Sequence, residues 1–160
     1  MESVRTETRG PVPEPAGVPA ADRPVRFDTK IAVLLADDLA PWQELNVTAF
    51  LASGIAAARP ELIGEPYADA DATGYLALFR QPVMIFAGDR ATVRAAHRRA
   101  LDRGLSVAVY TQEMFSTAHD AANRAAVAAV RRDELDLVGI AVHGGRSAVD
   151  KAMKGARKHP

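Results

Sequence analysis

The chain has 160 residues, 48% of them hydrophobic and 25% charged, with a formal net charge of zero. That length suits one domain with a real core and is short for two, and a neutral total gives no global attraction to nucleic acid or anionic membrane. Cysteine is absent, which removes disulfide scaffolds, thiolate metal sites and thiol nucleophiles together.

Five of the ten prolines fall within the first 24 residues, among Gly, Glu and Ala. Such a stretch buries too little apolar surface to order itself, so residues 1–27 read as a disordered extension and 28–160 as a single α/β domain. The extension lacks the apolar run of a secretory signal, and its acidic residues argue against a transit peptide. Nowhere do the roughly 20 apolar residues of a bilayer span follow one another. The expectation is a cytoplasmic protein with no membrane part.

"KIAVLLAD", residues 30–37, is a continuous branched and leucine run, the pattern of a strand covered on both faces. Pro41 suits a first helical position, where its missing N–H is no loss, and the spacing predicts a helix from 41 or 42 to about 58 that Pro60 stops. Residues 60–80 are rich in turn formers and read as a long loop with one edge strand in the apolar stretch 75–79. "PVMIFAG" (82–88) is a second strand, Asp89 caps an alanine- and arginine-rich helix that stops at Gly104, and "LSVAVYT" (105–111) is a third strand. That helix is long enough for a parallel crossover. After a polar turn, a helix capped by Asp120, a fourth strand over 135–144 and a closing helix over "RSAVDKAMKGARK" complete a three-layer α/β/α domain with a mixed sheet of about four main strands.

On the first helix, Trp42, Asn46, Ala49 and Ser53 share one stripe, and Val47, Leu51, Ile55 and Ala58 share another. The polar stripe begins just past the carboxyl end of the first strand, where open α/β sheets bind their ligands. Asn46 therefore either faces a ligand or ties down a neighbouring loop, with Trp42 packed beside it. Asp37 and Asp38 sit at the same strand end, as turn or helix caps or as a base. Adjacent strand residues point to opposite sides, so the two are not one acid/base pair. The third strand ends in Tyr110, Thr111, Gln112 and Glu113. Glu113 suits general acid/base work, and Gln112 can orient a carbonyl or a water. With the first and third strands parallel, these groups converge on a mouth near Asp38 and Asn46; the opposed reading is that they are solvated loop residues.

"HGGRSAVDK" offers backbone N–H groups before a helix, beside Arg146, without the spacing of a nucleotide fingerprint. His143 reads as structural. The arginines at 90, 94, 98, 99 and 103 surround His97 on a basic helix face, which is a solvated surface or a phosphate contact. No Gly-x-Ser-x-Gly elbow or His-x-x-x-His pair occurs, so no metal or cofactor is expected.

The segments "DDLAPWQELNVTAFLASGIA", "RQPVMIFAGD", "GLSVAVYTQEMF", "NRAAV" and "VDKAMKG" resemble the family named domain of unknown function 2000, over residues 30–159. That family is in turn similar to the type 2 peptidyl-tRNA hydrolases, with a strand ending in Asp-Leu, a long first helix, a "GL-x-V-A" strand and a last helix after a Gly turn. The resemblance implies their compact layered fold with an antiparallel fourth strand, and cleavage of the ester between a peptide and a tRNA ribose. Those enzymes place a lysine, a glutamine and a histidine along the first helix; here Asn46, Phe50 and Ser53 stand near those positions. Their Asp-Ala-Gly-Arg-Thr turn is replaced by Gln112 to Ser116, and with Asn46 near the lysine position an ammonium able to stabilise an oxyanion has become a neutral amide.

Two functions follow as expectations. One is a hydrolase of an ester or amide of a small or aminoacylated substrate, with Glu113 as base, Gln112 and Asn46 positioning a carbonyl, Asp38 orienting water, and Trp42 and Thr111 at the mouth. The other is a non-catalytic small-ligand module of the same fold. A small molecule is the expected partner in both; a nucleic-acid contact by the basic helices and self-association through "YLALF" remain alternatives.

Overall fold

The computed structural model describes Ala21 and residues 23–160; most of the extension expected over 1–27 lies outside the described residues. In chain order the elements are β1 (Thr29–Ala36), α1 (Pro41–Ala58), β2 (Tyr67–Ala68), β3 (Gly74–Tyr75), β4 (Val83–Gly88), α2 (Arg90–Asp102), β5 (Ser106–Thr111), α3 (Asp120–Ala128), β6 (Leu137–Gly145), α4 (Arg146–Ala152) and β7 (Arg157–Lys158). Every residue of β1 from Ile31 to Ala36 is buried. A strand covered on both faces belongs inside a sheet, and the mixed five-stranded order β5-β6-β1-β4-β7 puts β1 at its centre. It pairs in parallel with β4 and antiparallel with β6.

Because β6 is also antiparallel to β5, β1 and β5 run the same way, and their carboxyl ends share one edge of the sheet. The expected parallel relation of these strands is therefore present, with β6 between them. His143, near the carboxyl end of β6, lies at the opposite edge, as the antiparallel expectation required.

Alternate residues of the strands feed two cores. Ile31, Val33 and Leu35 pack under α1, and Ala32 and Leu34 pack under α2 and α4. Val47, Leu51 and Ile55, one helical turn apart, are the buried stripe of α1. Each contributes about 1.5–3 kcal/mol on burial. Gly139 lets α1 come close: a Cβ there would stand 2.8 Å from Val47 Cγ1. Lacking a Ser or Asp cap, α1 starts through Gln43, whose Oε1 accepts from the Ala40 N–H at 2.9 Å, and Pro41, which has no N–H to satisfy.

Several expectations are corrected. The stretch 60–80 adds no strand to the main sheet; β2 and β3 form a separate small hairpin, and Leu76 and Leu78 beside it are exposed. The cap of α3 is His119, whose Nδ1 accepts from Ala122 N at 3.3 Å, while Asp120 lies in the first turn and pairs with Arg124. The closing helix ends early, near a left-handed Gly155 (φ 92°), and the chain then adds β7 to the outer edge of β4. Among the described residues no helix is long and apolar enough to cross a membrane.

Candidate functional site

The residues singled out by sequence at the carboxyl edge divide into two groups. The first is gathered by Arg90, the opening residue of α2. Its Nε donates to both oxygens of Asp38 (2.9 and 3.1 Å), one terminal nitrogen to Asp136 Oδ1 at 3.0 Å, and the other to Gln112 Oε1 at 3.1 Å. A planar guanidinium with several fixed donors is suited to tying three loops together in this way. Asp37 is engaged separately, accepting from Arg157 at 3.1 Å. Both aspartates thus lie in the turn after β1 rather than on the strand, and each meets its own arginine. Glu113 is exposed, in the 3-10 helix at Gln112–Ser116, and Thr111 is buried with its Oγ1 lacking a hydrogen-bond partner among the described residues.

The second group lines a cavity of about 940 Å³ beside β5, between α1 and α3. Trp42 and Asn46 belong to it; Asp38, Thr111, Gln112 and Glu113 do not. The single mouth expected for these six residues is therefore divided, with two of them in this hollow and four outside it. The wall is aromatic: Trp42 meets Phe115 edge-on at 5.8 Å, Phe115 packs on Tyr110 at 5.1 Å, and Tyr110 meets Phe50 edge-on at 5.8 Å. Trp42 and Phe50 remain 61% and 51% exposed, so the wall faces solvent rather than another part of the fold. Burial pushes the Tyr110 phenol up from its ordinary value, which keeps it a neutral hydroxyl donor.

The polar groups of the hollow are mostly carboxamides. Asn46 Oδ1 accepts a long bond from the Tyr110 hydroxyl at 3.4 Å, and Asn123 Oδ1 accepts from Thr117 Oγ1. Each oxygen is engaged, while among the described residues neither amide nitrogen has a partner. Two N–H₂ groups are therefore available to donate to carbonyl or carboxylate acceptors. His119 borders the same hollow with Nδ1 turned to its own helix, so its Nε2 is the free nitrogen.

Sequence reading missed Phe50, Tyr110, Phe115 and Asn123 as wall residues, and Arg90 as the tie among the carboxylates. A signal for the wall existed: α1 is apolar on its outer face as well as its inner one, with Trp42, Leu45 and Phe50 exposed. A helix of that kind is ordinarily covered all round. Arg90 had no distinguishing signal among the five arginines of its segment. Of these, Arg99 holds the carbonyls of Ala152 and Lys154, and Arg103 holds that of Arg99, so much of the basic face is spent on tying the chain together.

Among the described residues no group of three or more His, Asp or Glu side chains is arranged to hold a metal ion. His97 and His143 lie away from the hollow and are buried. Burial, aided by Arg132, lowers His97, and burial, aided by Arg59, lowers His143, whose two ring nitrogens have no partner.

Fold and site together define a mixed-sheet α/β protein with an aromatic, amide-edged groove beside an edge strand. The chain belongs to the family described as protein of unknown function (DUF2000), whose model matches residues 29–160. It is similar to a solved structure of a protein of unknown function, Atu0240 from Agrobacterium tumefaciens strain C58. The two are 49% identical with a TM-score of 0.82, over 84% of this chain and 100% of that one. No curated protein matches.

Proposed function

We propose that the protein binds a small ligand with an apolar body and carbonyl or carboxylate acceptors in the groove between α1 and α3, without turning it over. The observation that carries this reading is the pairing of an open aromatic wall with the free amide nitrogens of Asn46 and Asn123. Volumes of about 300–1,000 Å³ with a few fixed polar groups are usual for ligand sites. The aromatic faces supply most of the affinity, and the amides fix orientation.

The hydrolase reading, with the similarity to type 2 peptidyl-tRNA hydrolases behind it, has less support. Hydrolysis at this wall needs a base within about 3 Å of the reacting atoms, directly or through one water. Of the residues assigned to chemistry from the sequence, Glu113 is outside the wall, and Asp38 and Gln112 are bound to Arg90; the His119 imidazole borders the groove, which makes the ester probe the deciding measurement.

N-acetylleucinamide is a suitable probe, since it joins one apolar side chain to two carbonyls. It should change the emission of Trp42, the only tryptophan, and be recovered intact. N-acetylleucine ethyl ester should not be hydrolysed above background. Ester turnover that disappears in Glu113→Gln would replace this reading with the hydrolase.

A further inference from the structure

The two outer edges of the main sheet are treated differently. One outer strand is β7, a two-residue strand of Arg157 and Lys158 laid along β4. The edge of β5 has no strand beside it among the described residues. Native sheets usually protect such an edge with charge, proline or a covering element. The sequence of β5, "SVAVYT", contains neither charge nor proline.

The direction of its free hydrogen-bonding groups can be read from Thr111. Its N–H donates to Met114 Sδ at 3.3 Å, away from β6. In an antiparallel pair alternate residues turn their N–H and C=O to the same side, so Val109 and Val107 present theirs to that outer side too. No other backbone or side-chain bond reaches these groups among the described residues. Val109, with Ala108 and Tyr110, lines the groove already described.

The dimensions agree with a strand. Along α1 the groove runs from Trp42 to Gly54, about 18 Å at 1.5 Å per helical residue. An extended chain rises about 3.3 Å per residue, so about five residues fill that length. The flanks decide between occupants. α1 packs on one face of the sheet beside β5 and α3 on the other, and a single added strand needs less clearance between them than a second copy's whole sheet. Side chains of an added strand alternate, one set meeting Phe50 and Tyr110 on the α1 side and the other meeting Val127 on the α3 side. The free amides of Asn46 and Asn123 suit peptide carbonyls not used by β5.

We propose that the ligand of this groove is an extended peptide segment of about five residues, taken up by strand addition to the free edge of β5. The proposal rests on the groove being a binding site and names what it binds.

The test uses the full chain, Trp42 emission and the blocked peptide acetyl-Val-Thr-Val-Thr-Val-amide, together with two versions N-methylated on alternate amides. Strand addition uses one alternate set of amides only. The parent should bind, one methylated version should bind at least about tenfold more weakly, and the other should bind like the parent. On the protein side, binding should protect the Val107 and Val109 amides from hydrogen exchange. Val107→Pro, at an outward-facing N–H of an edge strand and outside the groove lining, should weaken the peptide by a similar factor while leaving N-acetylleucinamide bound. If both methylated peptides bind like the parent, or if the small amide binds and no peptide does, strand addition is wrong and the groove reading stands. If neither class of probe binds, both fall.

Discussion

The carboxyl edge around Arg90 and the groove beside β5 are close in sequence yet differ in how their polar groups are used. At Arg90, both oxygens of Asp38, one of Asp136 and the amide oxygen of Gln112 have partners. In the groove, the amide nitrogens of Asn46 and Asn123 have none among the described residues, and the aromatic wall stands open to solvent at Trp42 and Phe50. Charged residues at a strand end are the usual sign of chemistry in an α/β fold, but here they hold the turn after β1, the start of α2 and the approach to β6 in place. The unpartnered amides that share one cavity with an aromatic wall are those of the groove, not the charged groups at the strand ends.

The contrast can be broken at several points. The largest expected effect comes from Gly139→Ala, because the new Cβ would lie 2.8 Å from Val47 Cγ1 and 3.2 Å from Leu35 and Leu51. Such overpacking costs about 1–3 kcal/mol, and moving α1 outward should also weaken ligand binding. Urea unfolding and the Trp42 titration measure the two effects. Arg90→Met should cost about 1–2 kcal/mol, since the network is partly exposed and surface pairs are individually weak. Groove affinity should be unchanged in that variant; a large loss of affinity would mean that the two regions are one site.

A pH series separates scaffold from groove further. His97 and His143 have folded values held below ordinary by burial. They stay neutral in the fold while the unfolded chain takes up protons, so their contribution is complete above about pH 6.5, the ordinary imidazole value, and is lost as pH falls below it. His159 acts in the opposite sense. Its hydrogen bond to Glu44 Oε1 (3.0 Å) raises it, so its contribution is complete below the ordinary value and fades as pH rises through the raised one. The expected sum is acid destabilisation, less steep in His143→Leu than in the parent. Unfolding midpoints between pH 5 and 8 would show it. The smallest effect is reserved for Glu113→Gln, an exposed side chain outside the groove, which should alter stability by less than about 0.5 kcal/mol.

The architecture was largely legible in the sequence because burial leaves a pattern. The unbroken apolar run of β1, the Pro41 start of α1 and the Asp89 cap of α2, which accepts from Thr92 N at 2.7 Å, each announce their element locally. The errors arose where an element is defined by distant partners. β7 exists because β4 has an open edge at Phe86 and Ala87, and no local signal in Arg157 and Lys158 says so. The candidate site was only partly legible for the same reason. Asn46 and Trp42 were found from helical spacing, but Gln112 and Asp38 were assigned to the same hollow because nothing in the sequence reveals that Arg90 reaches them first. Phe50 and Phe115 had no local signal as wall residues, and only the fold brings them to the two sides of Tyr110.

The most direct test compares Phe50→Ala with Glu113→Gln in a single titration of N-acetylleucinamide, followed by Trp42 emission with urea unfolding as a control. Loss of the aromatic wall should weaken binding at least about tenfold with little change in stability, and loss of the carboxylate should leave it as in the parent. Binding that survives Phe50→Ala and disappears in Glu113→Gln would contradict the account and return the site to the carboxyl edge.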